Sequence, residues 1–214
     1  MSNDYIAKRD EDKTKEIFEE ARSKIGTHPQ SWCFWKKYIE FEIMRDNKNT
    51  TNLIYYTALC AKVDNIDALK EEYVQFLNLH FDKLKELISS ENPAEFKDEK
   101  PTLLNHFCEA ANDKDSFIKI IERLAEKAKD ENNRRAAFEN SLSIFSYSPN
   151  NTSDANLKVE KETWKSYIQS EKTDNNYQNV QMLYKRMMIP FYDDFSVWQE
   201  YIDYLANTMS QVNK

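Results

Sequence analysis

Apolar residues recur at helical spacing along most of the chain. Between residues 10 and 25, for example, Ile17, Ala21 and Ile25 fall on one side of a helix that Gly26 ends. The same spacing predicts about nine helices, at residues 10–25, 32–45, 49–62, 64–89, 101–112 and 114–144 and in three later segments. The pattern therefore predicts an all-α fold.

Two polar segments interrupt this pattern, at residues 91–100 and 147–156. Both are rich in Asn, Ser, Asp or Pro, which is typical of exposed loops. We therefore expect N-terminal helical repeats over residues 1–90, with a long third helix, and C-terminal repeats over residues 101–214. Both sets are predicted to form one continuous solenoid.

A helix led by tryptophan occurs twice in the C-terminal half. "WKSYIQSE" contains Trp164 and Tyr167, and "WQEYIDYL" places Trp198 and Tyr201 at the same offset. The period is 198 − 164 = 34 residues, and an apolar helix that includes Tyr184 lies between the two copies. A period near 34 with paired helices is typical of α-solenoids built from antiparallel helix pairs, as in tetratricopeptide (TPR)-like repeats.

An earlier copy of this helix lies in "SWCFWKKYIEFE", with Trp35, Tyr38, Phe41 and Glu42 at spacings of three, three and one. Aromatic stripes at helical spacing bury large areas wherever helices stack. We therefore interpret the aromatic residues of all three copies as core packing and not as a ligand cage.

A carboxylate one turn after the aromatic stripe is kept in two copies, as Glu42 and Glu171, and Leu205 replaces it in the third. Such a carboxylate is suited to bonding a cation of the neighbouring helix. We expect Glu171 to face Lys185 or Arg186 and so to lock one repeat onto the next.

Composition limits the function. The chain carries a formal net charge of −7, which argues against a protein whose main task is to neutralise phosphate. Its single glycine excludes the Gly-rich loops that bind nucleotides. Protein partners are favoured, with RNA contact secondary and through small basic clusters.

Nothing in the sequence indicates catalysis. The three histidines form no metal-binding spacing, and Cys33, Cys60 and Cys108 form no C-x-x-C pair, so we interpret the cysteines as reduced helix-packing residues. We expect no catalytic residue, no cofactor and no metal. No apolar run approaches a membrane span and no signal peptide is evident, so we expect an intracellular protein without membrane contact.

The pattern W-x-x-Y-x-x-[FY]-E followed by "LYKRMM" resembles the half-a-tetratricopeptide (HAT) repeat of RNA-processing scaffolds. The order of segments over residues 14–208 is similar to the pre-mRNA-processing factor 39 and 42 family. In that family an Arg-x-x-Phe-Glu element precedes the later Trp helix, and Arg135, Phe138 and Glu139 stand at the corresponding place.

This resemblance implies a non-catalytic scaffold of pre-mRNA splicing in the nucleus. It implies a component of the U1 small nuclear ribonucleoprotein (U1 snRNP) that assists recognition of the 5′ splice site through other U1 snRNP or RNA-processing proteins, with dimerisation through repeats outside this chain. Two alternatives stay open, a HAT scaffold of the mRNA 3′-end cleavage and polyadenylation machinery and a direct RNA-binding solenoid.

Five residues are candidates for contact with a partner: Trp32, Arg134, Arg135, Lys185 and Arg186. Trp32 is chosen because the repeat pattern does not require it. The first helix also lacks a preceding partner and the last lacks a following one. We therefore expect either a longer solenoid or end helices that dock on a partner.

Overall fold

A computed structural model of the chain describes residues 2–28, 30–89, 99–110, 113–143, 154–174 and 176–212. These residues form nine α-helices, namely α1 (Ser2–Ile25), α2 (Trp32–Met44), α3 (Lys48–Ala61), α4 (Ile66–Ser89), α5 (Glu99–Glu109), α6 (Lys114–Ser141), α7 (Asp154–Thr173), α8 (Tyr177–Met187) and α9 (Phe195–Val212). No strand occurs in the described ranges. The all-α prediction is confirmed.

Helix α1 is longer than the pattern predicts. It begins at Ser2 and not near residue 10. Apolar periodicity underestimates it because its first residues are mostly polar, although none of them is a helix-breaking Gly or Pro.

The chain divides into two compact units, residues 1–132 and 133–214, and the division falls inside α6. The predicted organisation instead separates two sets of repeats at a loop over residues 91–100. Residues 90–98 lie outside the described residues, and 99–100 already belong to α5. Because α5 packs against α3, it belongs to the N-terminal unit. The single continuous solenoid stays a prediction.

The second predicted loop, residues 147–156, is only partly described. Residues 147–153 lie outside the described residues, and 154–156 form the first turn of α7.

In the N-terminal unit, α3 packs against α2, α4 and α5 and forms the centre. Residues 50–59 of α3 are buried without interruption, so this helix has no solvent-facing side over that length. Its polar residues are accommodated by hydrogen bonds. Asn52, for example, accepts one from the buried Tyr73 hydroxyl at 2.8 Å.

The C-terminal unit contains the end of α6 with α7, α8 and α9. Its core cluster includes Trp164, Tyr167, Val180, Leu183 and Met187. Helix α8 packs against both α7 and α9. The short connection after Thr173 makes α7 and α8 antiparallel neighbours.

Asparagine side chains start the second helix of each pair. The Asn47 side chain accepts a hydrogen bond from the Thr50 backbone N–H at 3.2 Å, and Asn176 does the same for Asn179 at 3.5 Å. Asparagine is favoured here because its side-chain oxygen satisfies an N–H that has no partner within the helix. Both helices therefore begin with the same type of N-cap.

The three cysteines are exposed, which contradicts their interpretation as packing residues. Each falls on the outward side of its helix. Among the described helices, none has both the length and the apolar character needed to cross a membrane.

Candidate functional site

Three copies of one packing arrangement form the candidate site. In each copy, a first helix carries an aromatic residue and, three positions before it, a basic or amide residue. This helix packs against a second helix that begins near a tryptophan, called the Trp helix. The first copy comprises α1, α2 and α3, the second comprises residues 133–141 with α7 and α8, and the third comprises α8 and α9. Each copy lies within one compact unit.

The Trp residues of the first two copies are buried. Trp35 donates its indole N–H to the Gly26 carbonyl at 2.9 Å, and Ser31 donates its hydroxyl to the same oxygen at 3.1 Å. A Cβ at Gly26 would lie 2.5 Å from the Arg22 carbonyl oxygen and 3.2 Å from the Trp35 ring. The only glycine is therefore required by close packing.

An aromatic pair joins the two helices with nearly the same geometry in both copies. Phe18 stacks on Tyr38 with ring centroids 4.8 Å apart and planes at 3°, and Phe138 stacks on Tyr167 at 4.8 Å and 4°. Copies in different units thus repeat the contact almost without change. Offset stacking of this kind adds to the energy of burial alone.

A glutamate follows each of these phenylalanines. Tyr38 donates its hydroxyl to the Glu19 carboxylate. Burial, together with Glu19, raises the pKa of Tyr38 far above its ordinary value. In the second copy, burial and the charge of Glu139 raise the pKa of Tyr167. Both tyrosines therefore stay protonated and act as hydrogen-bond donors.

The carboxylate of Glu171 is bound by a buried arginine of the preceding helix. Arg135 donates Nε to Oε1 at 2.9 Å and Nη2 to Oε2 at 3.0 Å, and both residues are only 1% exposed. Asn176 and Asn179 each donate an amide N–H to Oε2 at 3.1 Å. One carboxylate thus connects α6, α7 and α8.

The protonation of Glu171 is decided by two opposing effects. Burial disfavours the charged form, but the hydrogen bonds and charge of Arg135, with help from Asn179 and Arg134, outweigh it and lower the pKa of Glu171. The carboxylate is therefore ionised at neutral pH and holds its four donors.

The predicted pairing of Glu171 with Lys185 or Arg186 is wrong. Arg186 instead donates both Nη atoms to Glu139 at 2.7 Å and lies 5.1 Å from the centroid of the Trp164 ring. Lys185 is exposed. Helical spacing shows that both cations are near, but the rotation of α8 turns Arg186 toward α6 and Lys185 toward solvent.

The first copy has an analogous carboxylate with a different set of charges. Glu42 is fully buried and accepts a hydrogen bond from Arg45 Nη1 at 3.0 Å. Lys15 stands three residues before Phe18, as Arg135 stands three residues before Phe138. The register therefore places a cation on the preceding helix in both copies that keep the glutamate.

The third copy keeps the aromatic stack and loses the ion pair. Tyr184 stacks on Tyr201 with centroids 5.0 Å apart, while Gln181 and Leu205 stand where the basic residue and the glutamate are expected. Both charges are replaced together. This fits the physical rule that a single buried charge without its partner is strongly destabilising.

Trp198, the third tryptophan of the repeat, does not pack in a core as predicted. It is 42% exposed and donates its indole N–H to the Tyr192 carbonyl at 2.8 Å. In the second copy α8 covers the equivalent ring. Among the described residues no helix takes that place on α9.

The five candidate contact residues differ in exposure. Trp32 and Arg135 are buried, so neither presents a free surface, and Trp32 belongs to the N-terminal core. Arg134 is partly exposed and bonds Ser170 at 3.0 Å as well as the Asp174 carboxylate. The structure leaves Lys185 as the one fully exposed candidate among these five.

Lysines of α7 are also engaged within the C-terminal unit. Lys161 bonds Asp194 at 2.5 Å and Lys165 bonds Glu200 at 2.6 Å. Lys172 donates to the Tyr184 hydroxyl at 2.9 Å. Lys161 and Lys165 are therefore neutralised by carboxylates, and Lys172 is held by a tyrosine.

Within the described part of the chain, no group of three or more His, Cys, Asp or Glu residues could hold a metal ion. Of the buried charged residues found there, Arg135 and Glu171 pair with each other, Glu42 bonds Arg45, and Glu160 accepts hydrogen bonds from Ser143. The hydrogen bonds and ion pairs described above hold helices in fixed relative positions within each unit.

Comparison with known families identifies the repeat. Residues 2–78 match the family model of the PRP39 N-terminal HAT repeat. Over these residues the chain is similar to PRP39-type HAT-repeat proteins. The resemblance to the pre-mRNA-processing factor 39 family is confirmed, and so is the HAT-type all-α repeat fold. No curated protein matches the chain.

The PRP39-type match covers α1, α2, α3 and much of α4, and therefore includes the whole first copy. It supports a splicing-related scaffold. Because the second copy repeats the stacking geometry of the first, the same type of unit also occurs after the matched residues.

Sequence reasoning missed the Arg135–Glu171 and Arg186–Glu139 pairs. The sequence did contain a signal for the first pair. In the third copy, the positions that correspond to Arg135 and Glu171 are both uncharged, as Gln181 and Leu205. Comparing both helices of each copy, and not the Trp helix alone, would have indicated the first of these pairs.

Proposed function

We propose that this chain is a non-catalytic scaffold of pre-mRNA splicing that acts in the nucleus. In this proposal it is a U1 snRNP component that assists recognition of the 5′ splice site by contacting other proteins of the particle. The observation that carries the proposal is the match of residues 2–78 to the PRP39 N-terminal HAT repeat. The aromatic stack that recurs in the copies and the buried Arg135–Glu171 pair of the second copy agree with a unit that holds helices in fixed positions.

Protein contact, and not RNA contact, is favoured by the state of the basic residues. Affinity for nucleic acid depends on cations that can replace counterions along the phosphate backbone. Arg134, Arg135, Lys161, Lys165 and Arg186 already bond carboxylates. Using them for phosphate would break contacts that hold the fold together.

Affinity purification of the tagged chain from a nuclear extract, followed by mass spectrometry, tests the proposal. U1 snRNP proteins should be enriched. Enrichment of cleavage and polyadenylation proteins in their place would support the alternative function in 3′-end processing. In a comparison chain with Arg135→Gln, which is destabilised, enrichment of the same proteins should fall, because specific association requires the folded repeats.

A nuclease arm of the same purification separates protein contact from RNA contact. U1 proteins should remain bound after the RNA is digested. If the partners leave with the RNA, the chain is a direct RNA-binding protein. Steep loss of RNA affinity between low and physiological salt would agree with that second result.

A further inference from the structure

Helices α7, α8 and α9 together line a pocket of about 530 Å³ in the C-terminal unit. We call it the Lys172 pocket, and its polar lining consists of Lys165, Ser166, Gln169 and Lys172 of α7, Tyr184 of α8 and Glu200 of α9. Pockets of this size with a few converging polar groups are candidate binding sites.

The charges of the Lys172 pocket do not cancel. Lys165 bonds Glu200 at 2.6 Å, so these two neutralise each other. Lys172 donates to the Tyr184 hydroxyl at 2.9 Å and lies 5.2 and 5.1 Å from the centroids of the Tyr184 and Tyr204 rings. Across the described ranges no carboxylate forms an ion pair with its ammonium group. The pocket therefore contains one cation without a counter-ion.

The N-terminal unit contains the same framework, built from α2, α3 and α4. Lys36 directly follows the tryptophan of its copy, as Lys165 does, and bonds Glu72 of α4 at 3.5 Å. The Tyr55–Tyr73 stack between α3 and α4, with centroids 5.1 Å apart, matches the stack at 5.0 Å between α8 and α9. The two units thus repeat both the ion pair and the aromatic contact.

The cation is what differs between the two frameworks. Lys172 stands eight residues after its tryptophan, and the residue at this position in the first copy is Ile43, which is 50% exposed. The framework therefore forms without a cation at this place, and the fold does not require Lys172 to neutralise a carboxylate. A positive charge that is kept at a pocket without a counter-ion is suited to an anionic ligand.

The other polar groups of the Lys172 pocket favour the same ligand chemistry. An ammonium group has three N–H donors, and the bond to the Tyr184 oxygen uses one of those of Lys172. Because this oxygen accepts, the Tyr184 O–H remains to donate. Ser166 and Gln169 add a hydroxyl and an amide on the exposed side of α7. A carboxylate, which only accepts hydrogen bonds, matches such a set of donors.

We propose that the Lys172 pocket binds a glutamate or aspartate carboxylate from an acidic segment of a partner protein. The carboxylate accepts hydrogen bonds from the Lys172 ammonium group and from the Tyr184 hydroxyl. The proposal rests on the scaffold function above, because it names the chemistry of one contact through which the scaffold holds a partner.

A protein carboxylate fits this pocket better than an RNA chain does. One cation without a counter-ion balances one negative charge. Glu200 lines the pocket, and Asp203 is exposed one turn later on the same helix. The successive phosphates of an RNA chain would meet these carboxylates, and like charges repel.

The probe is the peptide acetyl-Ala-Ala-Glu-Ala-Ala-amide, which is titrated into the isotope-labelled complete chain while NMR records the backbone amide signals. We expect saturable shifts centred on residues 165–172 and on Tyr184. The same peptide with Gln in place of Glu should bind at least about tenfold more weakly, because it lacks the charge. Added salt should weaken binding of the Glu peptide, a result that needs no variant of the chain.

Lys172→Ile is the decisive variant, because it introduces the residue that the first copy has at this position. It should weaken binding of the Glu peptide at least about tenfold, whereas Lys172→Arg keeps the charge and should stay within about threefold. Lys185→Ile is the matched control. It removes the same charge from an exposed position of α8 outside the pocket lining and should change the affinity less than about twofold. Circular dichroism establishes that each variant keeps its helices.

Three outcomes overturn the proposal. Equal binding of the Glu and Gln peptides means that the pocket does not recognise a carboxylate. Binding that Lys172→Ile leaves unchanged places the contact elsewhere. A single-stranded oligouridylate that binds more tightly than the Glu peptide, and that Lys172→Ile releases, assigns the pocket to RNA.

The peptide titration and the purification of U1 proteins fail independently. A chain that retains U1 proteins but does not bind the Glu peptide contradicts the Lys172 pocket alone. A chain that binds the peptide through Lys172 but enriches no U1 protein contradicts the U1 assignment alone.

Discussion

Arg135 and Glu171 form a buried, two-pronged ion pair between the end of α6 and α7, with N–O distances of 2.9 and 3.0 Å. Two asparagines complete the coordination of the carboxylate. A buried ion pair adds little net stability compared with a well-packed apolar pair, but loss of one partner is costly. The pair therefore enforces one relative position of the helices.

Arg135→Gln should destabilise the chain by about 3–5 kcal/mol, because Glu171 would remain buried without its cation. Adding Glu171→Leu copies the Gln181 and Leu205 combination of the third copy and should recover part of this loss. Urea unfolding measures the free energy of each variant.

The control for this cycle is Arg123→Gln, which removes an exposed pair with Glu109 at 3.2 Å. Exposed pairs contribute about 0–1 kcal/mol, so the control should differ little from the wild type. A double variant less stable than the sum of its single variants would contradict the proposed coupling.

The stabilisation by Glu171 should depend on pH. Its pKa is lower in the folded chain than in the unfolded one, so its contribution is complete above the unfolded value of about 4.3 and is lost as the pH falls through the folded value. The difference in unfolding free energy between the wild type and Glu171→Gln should therefore shrink as the pH is lowered below about 4.

Denaturant unfolding at a series of pH values measures this difference. Gln169→Ala alters an exposed, uncharged residue of the same helix and should follow the wild-type profile. A Glu171→Gln difference that stays constant across the acid range would show that the carboxylate is not stabilised in the folded chain.

The two aromatic stacks should respond alike to the same substitution. Phe18→Leu and Phe138→Leu keep an apolar side chain and remove the ring, so each should cost about 0.5–1.5 kcal/mol beyond the change in buried area. Thermal and urea unfolding compare the two. Phe195→Leu, at an exposed ring, should stay within about 0.5 kcal/mol of the wild type.

Gly26→Ala should destabilise the N-terminal unit by about 1–3 kcal/mol, because the new methyl group meets the Arg22 carbonyl and the Trp35 ring. Gln30→Ala, in the same connection but exposed, should be nearly neutral. A stable Gly26→Ala variant with an unchanged Trp35 environment would show that the connection has room for a side chain.

Acrylamide quenching should distinguish the tryptophans. Of the four, Trp198 is exposed while Trp32, Trp35 and Trp164 are buried. Trp198→Phe should therefore remove the readily quenched part of the fluorescence, and Trp198 can be replaced with little effect on folding. Persistence of that part in the variant would place the exposed indole elsewhere.

Local patterns predicted much of the fold. The helices of both units were expected near their observed positions because each carries an apolar stripe at helical spacing. The start of α1 was missed because its polar residues produce no stripe. The place at which the two units divide depends on packing between helices, which a local pattern does not contain.

The candidate site was predicted less completely. Trp35, Tyr38 and Glu42 were recognised as repeat positions, yet the partner of Glu171 was assigned to α8. Arg135 is 36 residues away from Glu171, and Lys185 and Arg186 are nearer in sequence. Sequence distance is a poor guide here because the antiparallel return of the chain brings the end of α6 beside α7.

The sequence by itself determined that the chain is helical, that Trp-led helices recur and that the repeat is of the HAT type. These properties depend only on the spacing and the type of residues along the chain. Only the tertiary structure decided that Arg135 is buried, that Arg186 bonds Glu139 and that Trp198 is exposed. Those outcomes depend on how each helix is rotated and on whether another helix lies against it. Of three Trp helices with similar sequences, two can therefore have a buried tryptophan and the third an exposed one.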